Sequence, residues 1–156
     1  MVSAVWECEA LAAHLVAQGG VTVFTNGCFD LLHVGHLRYL QQARQLGDRL
    51  VVGVNSDASV RALKGPTRPI VTAVERAEML AGLRCVDYVV LFDDLTASSV
   101  ITALKPAVYA KGGDYDVENL PEAPAVQAYG GVIQLVPFVP GHSTSSILAR
   151  AVETAS

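Results

Sequence analysis

The chain predicts an α/β fold: a single Rossmann-like, doubly wound parallel sheet with helices on both faces. Three observations carry this. Strand-like and helix-like segments alternate at short spacing along all 156 residues. The run "RLVVGV" (49–54) is almost wholly apolar, as suits a parallel strand covered on both faces. Hydrophobic residues make up 51% of the chain against 17% charged, which supports a compact core rather than a disordered chain. At this length one domain, residues 1–156, is expected, and no linker, internal repeat or low-complexity tract divides it.

Taken in order, "SAVWECEALAAHLVAQGG" reads as a helix capped by Ser3 and ended by Gly19-Gly20. "VTVFT" (21–25) is β-branched and aromatic, hence a buried strand. A loop over 26–33 leads into a helix from Val34 to Leu46, stopped by Gly47. After the strand at 49–54, "SDASVRALKG" is a short helix with Ser56 or Asp57 as its cap, and "KGPTRP" (64–69) is a loop. Thr72 and Glu75 have capping-box spacing at the head of "TAVERAEMLAGL". Then follow strand "DYVVLF", helix "DLTASSVITALKP", strand "AVYA", weak helix "PAVQAYGG", strand "VIQLV" and closing helix "STSSILARAVE". Residues Gly112–Pro124 form the one long irregular stretch, and loops of that length inside compact domains are often functional.

Composition narrows the function. A formal net charge of -4 argues against a nucleic-acid or anionic-membrane surface, so the expected partners are small molecules. Three cysteines, Cys8, Cys28 and Cys85, without Cys-x-x-Cys spacing give no disulfide framework or zinc knuckle and fit a cytoplasmic setting. No apolar run reaches about 18 residues and no basic leader precedes Glu7 and Glu9, so neither a membrane span nor a signal peptide is expected.

The chemistry is expected where the strands end, since ligands of such sheets lie beyond their carboxyl ends. "TNGCFDLLHVGHLRYL" (25–40) crosses such an end, and the helix from Val34 aims its free N–H groups there. His33 and His36, three apart, fall on one side of the first turn. Gly35 between them would let a phosphate oxygen approach the backbone. A Gly-x-x-x-x-Gly-Lys loop and a Gly-x-Gly-x-x-Gly turn are both missing after this strand. A His-x-x-His pair alone is weak, but its place after a strand and behind Asn26-Gly27-x-Phe29-Asp30 favours a site.

"TNGCFDLLHVGH" resembles the motif of the nucleotidyltransferases related to glycerol-3-phosphate cytidylyltransferase, with its His-x-Gly-His core. "GDRLVVGVNSDASVRALKGPTRPI", "VDYVV", "KGGDY" and "STSSI" follow in the order of that family, from about Val21 to Arg150. The nearest likeness is to its heptose 1-phosphate adenylyltransferase branch. The cytidylyltransferase branch has an arginine just before its Ser-Thr pair, where this chain has "PFVPGH".

The resemblance implies a nucleotidyltransferase fold and catalysis by His33, His36, Lys64 and Lys111. It implies a nucleotide site of Thr25, Asn26, Gly27, Cys28, Phe29, Gly35, His36, Arg76, Lys111, Gly112, Asp114, Ser143 and Thr144. Sugar phosphate would meet Asp30, Asn55, Asp57 and Lys64. The plain readings stand beside these: Lys64, Arg68 and Arg76 as solvated surface charge, Asp57 as a cap, Cys28 as a small buried filler, Ser143 as a helix cap. His142 has no family counterpart and is left outside the site. Mg²⁺ is expected to arrive with ATP rather than in a carboxylate cage, and a homodimer is common among the relatives. The implied reaction is transfer of AMP from ATP to a sugar 1-phosphate. The alternatives are a CTP-dependent enzyme acting on a polyol phosphate and a nucleotide-sensing module without turnover.

Overall fold

The computed structural model describes residues 5–137 and 141–155. Six strands form one sheet: β1 (Val5–Trp6), β2 (Thr22–Gly27), β3 (Arg49–Asn55), β4 (Tyr88–Phe92), β5 (Val108–Gly112) and β6 (Val132–Val136). The helices are α1 (Cys8–Gln18), α2 (Val34–Arg44), α3 (Asp57–Lys64), α4 (Ala73–Ala81), α5 (Ser98–Leu104), α6 (Ala123–Gln127) and α7 (Thr144–Ala155). Every strand pairing is parallel and the order is β1-β4-β3-β2-β5-β6. From β2 the chain moves outward through β3 to β4 and then crosses back to β5 on the other side. The order therefore reverses beside β2, and a crevice opens at its carboxyl end.

The period of two along each strand divides the core. Val23, Leu50, Val52, Val54 and Val89 point to the face covered by α2 and α4, where Leu40, Ala43 and Leu80 meet them. Phe24, Val51 and Val90 point to the opposite face, under Leu11, Leu15, Ile101 and Val126 of α1, α5 and α6. Leu40, Leu50 and Leu80 have no exposed surface, and each contributes about 1.5–3 kcal/mol through burial.

The doubly wound parallel sheet is as expected from the sequence, with local corrections. The first helix starts later: Val5 and Trp6 instead pair with Val89 and Val90 as an edge strand. Glu7 caps α1, its carboxylate accepting from the Glu9 and Ala10 N–H groups; Ser3 lies outside the described residues. Asn26 and Gly27 extend β2, and Lys111 and Gly112 end β5, rather than lying in loops. Lys64 is the last residue of α3, not a loop residue, because the helix runs until Gly65 takes a φ of 103°. Ser56, not Asp57, caps α3.

At Gly53 in β3, an added Cβ would stand 2.8 Å from the Phe24 ring, which fills the space between sheet and helices. Gly53→Ala is expected to cost about 1–3 kcal/mol through overpacking, read as a lower urea midpoint with an unchanged m-value.

Candidate active site

At the carboxyl ends of β2, β3 and β5 lies a crevice of ≈ 1020 Å³. This is at the upper end of small-ligand sites and leaves room for two ligands side by side. Its lining brings together Asn26, Gly27, Cys28, Phe29, Asp30, His33, Gly35, His36, Asn55, Lys64, Arg68, Lys111, Gly112, Ser143 and Thr144. The N-termini of α2 and α7 both open on it.

The two histidines are built by the turn into α2. His33 is the cap, in extended conformation, and its Nδ1 accepts the Gly35 N–H at 3.1 Å. A neutral His33 therefore carries its proton on Nε2. The His33 and His36 rings stack with centroids 3.8 Å apart and planes 24° from parallel. Phe29, held at a left-handed φ of 48°, sets its ring edge-on to His36 at 5.2 Å. At Gly35 an added Cβ would lie 2.9 Å from both His33 Cε1 and His142 Cβ. The glycine thus makes room for the imidazoles themselves, a need the sequence reading had assigned to phosphate.

Burial and the neighbouring His33 push the His36 pKa down to about 4, with the Leu31 carbonyl pulling the other way and Lys64 adding to the fall. Its Nδ1 is buried, and no hydrogen bond of good geometry reaches it. Burial and His142 lower His33 as well. Both rings favour the neutral form at pH 7, and His33 then presents its Nε2–H without bringing charge. The cations come from other elements: Lys64 from the end of α3, Arg68 from the following loop, where it lies 3.5 Å from Asp30, and Lys111 from β5, where Nζ stands 5.4 Å from the Tyr115 ring centre.

Four expected site residues do not line the crevice. Thr25 is buried, with its hydroxyl 2.6 Å from that of Tyr39, which itself donates to the Ala110 carbonyl. Arg76 is 1% exposed and lies behind the loop. Its guanidinium donates to the carbonyls of Val71 and Cys28 and to the Asp57 carboxylate, so it braces the loop and does not line the crevice. Asp57 divides its Oδ1 between Arg76 and the Ala73 N–H and does not line the crevice. Asp114 is exposed, beyond the turn at Gly113.

Other expected residues reach the crevice with part of their polarity already engaged. Asp30 accepts the N–H groups of Ile70 and Val71, fixing the loop that carries Arg68. Ser143 caps α7 by accepting from the Ser146 N–H at 3.0 Å, and Thr144 donates to the Leu31 carbonyl. Burial raises the Cys28 thiol pKa, which fits a filler and not a nucleophile.

The sequence reading missed His142, Thr96, Tyr115, Asn119 and Glu122, all of which line the crevice. His142 had a signal, its place beside the Ser-Thr pair. Tyr115 closes the "KGGDY" run, and Asn119 and Glu122 lie in the long irregular stretch already noted, whereas Thr96, in the turn after β4, carries no local motif.

The family model described as cytidylyltransferase-like matches residues 24–150. This chain belongs to the cytidylyltransferase-like family. It is 54% identical over 145 residues to the bifunctional protein HldE of Trichlorobacter lovleyi, covering 93% of this chain and 29% of that protein. To the HldE of Geobacter metallireducens it is 57% identical over 134 residues, 86% of this chain and 27% of the relative. The chain thus spans less than a third of the length of these curated relatives. A crystal structure described as the lipopolysaccharide core biosynthesis protein of Thermoplasma volcanium superposes with a TM-score of 0.65 at 28% identity, over 78% of this chain and 98% of that one. As a member of this family the chain is a nucleotidyltransferase domain.

Two outcomes follow. The folded state holds His36 with a pKa of about 4, below the ordinary 6.5, so it favours the neutral ring. That stabilisation is complete above pH 6.5 and is lost as pH falls through about 4. Urea midpoints should therefore drop across this window, and drop less steeply in His36→Asn. Removing the buried guanidinium in Arg76→Met should cost about 3 kcal/mol or more, since it strands two carbonyls and a carboxylate together. Asp57→Asn, on the half-exposed side of the same pair, should cost less by the same denaturation measurement.

Proposed function

We propose that this chain moves AMP from ATP to D-glycero-β-D-manno-heptose 1-phosphate, giving ADP-heptose and pyrophosphate. The observation that carries the reading is the stacked pair of neutral imidazoles, His33 and His36, at the N-terminus of α2 with Lys64, Arg68 and Lys111 around the same crevice. Neutral donors and separate cations suit a reaction whose charge lies on phosphate throughout. Identity of 54–57% to HldE proteins, and similarity to a Thermoplasma protein described as acting in lipopolysaccharide core biosynthesis, favour a sugar phosphate as acceptor.

An oxygen of the sugar 1-phosphate attacks the α-phosphorus in line. A new P–O bond forms there as the bond to the bridging oxygen of the β-phosphate breaks, and pyrophosphate leaves with that oxygen. The attacking phosphate is already ionised at neutral pH, so no general base is required. His33 and His36 donate to the α-phosphate oxygens as charge gathers on them. Lys111 and the α7 N-terminus at Ser143 and Thr144 hold the outer phosphates, while Lys64 and Arg68, with Asn55, hold the acceptor. Among the described residues no group of three or more His, Cys, Asp or Glu side chains forms a metal cage. Asp30 is occupied by backbone N–H groups. Mg²⁺ accordingly enters as part of the substrate, bound to the triphosphate and water.

Pyrophosphate release, measured over ATP and CTP against heptose 1-phosphate and glycerol 3-phosphate, tests the reading. Turnover is expected with ATP and the heptose phosphate. Release only with CTP and the polyol phosphate would replace it with a cytidylyltransferase, and binding without release would make the domain a sensor. His36→Ala should lower kcat by about 10²–10³ while the protein stays folded, as loss of one preorganised donor does.

A further inference from the structure

His142 lines the crevice, yet the mechanism above gives it nothing to do. It follows Gly141, whose φ of 80° bends the chain, and stands one residue before the Ser143 cap of α7. Thr144, two residues on, donates to the Leu31 carbonyl, so the start of α7 is tied to the turn that carries the histidine pair. The His142 Cβ lies 2.9 Å from where a Cβ on Gly35 would stand. Its stem therefore rests against the bare backbone between His33 and His36. Burial, and then the charge of His142, lower the His33 pKa, which puts the two rings within electrostatic reach of each other. The His142 side chain is exposed, and among the described residues no hydrogen bond, ion pair or ring contact engages its imidazole.

The turn does not need an imidazole to form. Gly141 makes the bend, Ser143 caps the helix and Thr144 ties it down. An exposed ring without a partner adds little to folding. What the position offers is a donor between two helix N-termini. The starts of α2 and α7 both open on the crevice, with unpaired N–H groups that suit phosphate. On the transfer reading, α2 holds the α-phosphate and α7 holds the outer phosphates. The bond that breaks lies between those two groups. His142 stands where the two helix starts meet, and so beside the oxygen that bridges them. Charge gathers on that oxygen as pyrophosphate leaves, and a donor aimed there lowers the barrier.

We propose that His142 is a further catalytic residue: its imidazole donates a hydrogen bond to the oxygen bridging the α- and β-phosphates. The bond from the α-phosphorus to that oxygen breaks with its electron pair staying on pyrophosphate, and the hydrogen bond strengthens as it does so. No proton leaves the ring, so His142 is unchanged after turnover. The proposal rests on the nucleotidyl-transfer reading, whichever base or acceptor is used.

Single-turnover rates with the triphosphate and acceptor that the wild-type protein uses make the test. His142→Ala should lower the rate by about tenfold or more, with a smaller change in triphosphate affinity. His142→Gln keeps an N–H donor and should recover part of the loss. A role at the leaving oxygen has a further signature. Replacing the β,γ-bridging oxygen with CF₂ makes the departing group less basic than replacing it with CH₂, and leaves the reacting α,β-bridge intact. The CF₂ analogue should react faster than the CH₂ analogue, and the gap should widen in His142→Ala by about threefold or more. Both variants change an exposed side chain and should fold, as an unchanged urea midpoint would show. A folded His142→Ala at the wild-type rate, a loss equal for both analogues, or no recovery in His142→Gln overturns the proposal and leaves His142 as packing over Gly35. Loss of the fold in both variants would assign the side chain to structure and overturn it as well. Wild-type protein that releases no pyrophosphate from ATP or CTP sinks the transfer reading and this role with it. Wild-type turnover beside an unaltered His142→Ala sinks this role alone.

Discussion

The loop between β2 and α2 is held from behind by two buried charges, and the site depends on that hold. Arg76 grips the Cys28 carbonyl, and Asp30 grips the backbone of Ile70 and Val71. Each charge is satisfied mainly by backbone groups, so each fixes the course of a chain segment instead of merely joining two side chains. Between them, the loop that carries the histidines and the loop that carries Arg68 are locked to α4 and to each other. The strained φ of Phe29 is tolerated within this frame and lets its ring rest on His36. Charges on either side of the crevice can then be aimed to within the tolerance that phosphoryl chemistry demands.

Electrostatics follows from the same enclosure. Two imidazoles stacked at 3.8 Å cannot both be protonated in a half-buried cleft without strong repulsion, and burial tips them to the neutral side. Neutral rings at a helix N-terminus give directed N–H groups, while mobile lysines at the rim supply net charge. Directed donors and mobile cations come from different elements, so a change in one need not displace the other.

Much of the site could be read from the sequence. Gly35 between His33 and His36, Lys111 at a strand end and the Ser-Thr pair at a helix start all mark themselves by local grammar, because strand ends and helix starts converge on one edge in a parallel sheet. The expected residues that do not line the crevice share a cause. Arg76, Asp57 and Thr25 are polar residues near the right loops, but each has a partner far along the chain: Cys28 lies 48 positions from Arg76, Arg76 lies 19 from Asp57, and Tyr39 lies 14 from Thr25. Nothing local says whether a charge faces the crevice or the protein behind it.

The sequence by itself determined the sheet, the alternation of its two covered faces and the position of the histidine turn, since each follows from short-range periodicity and the steric freedom of one or two residues. The tertiary structure alone decided which charges face the crevice and which brace the loop. It also decided that β1 forms from the start of a presumed helix, and that Glu122 is carried from the long stretch after β5 to the crevice wall. Those outcomes depend on contacts between distant segments, and such contacts exist only once the sheet has brought its edges together.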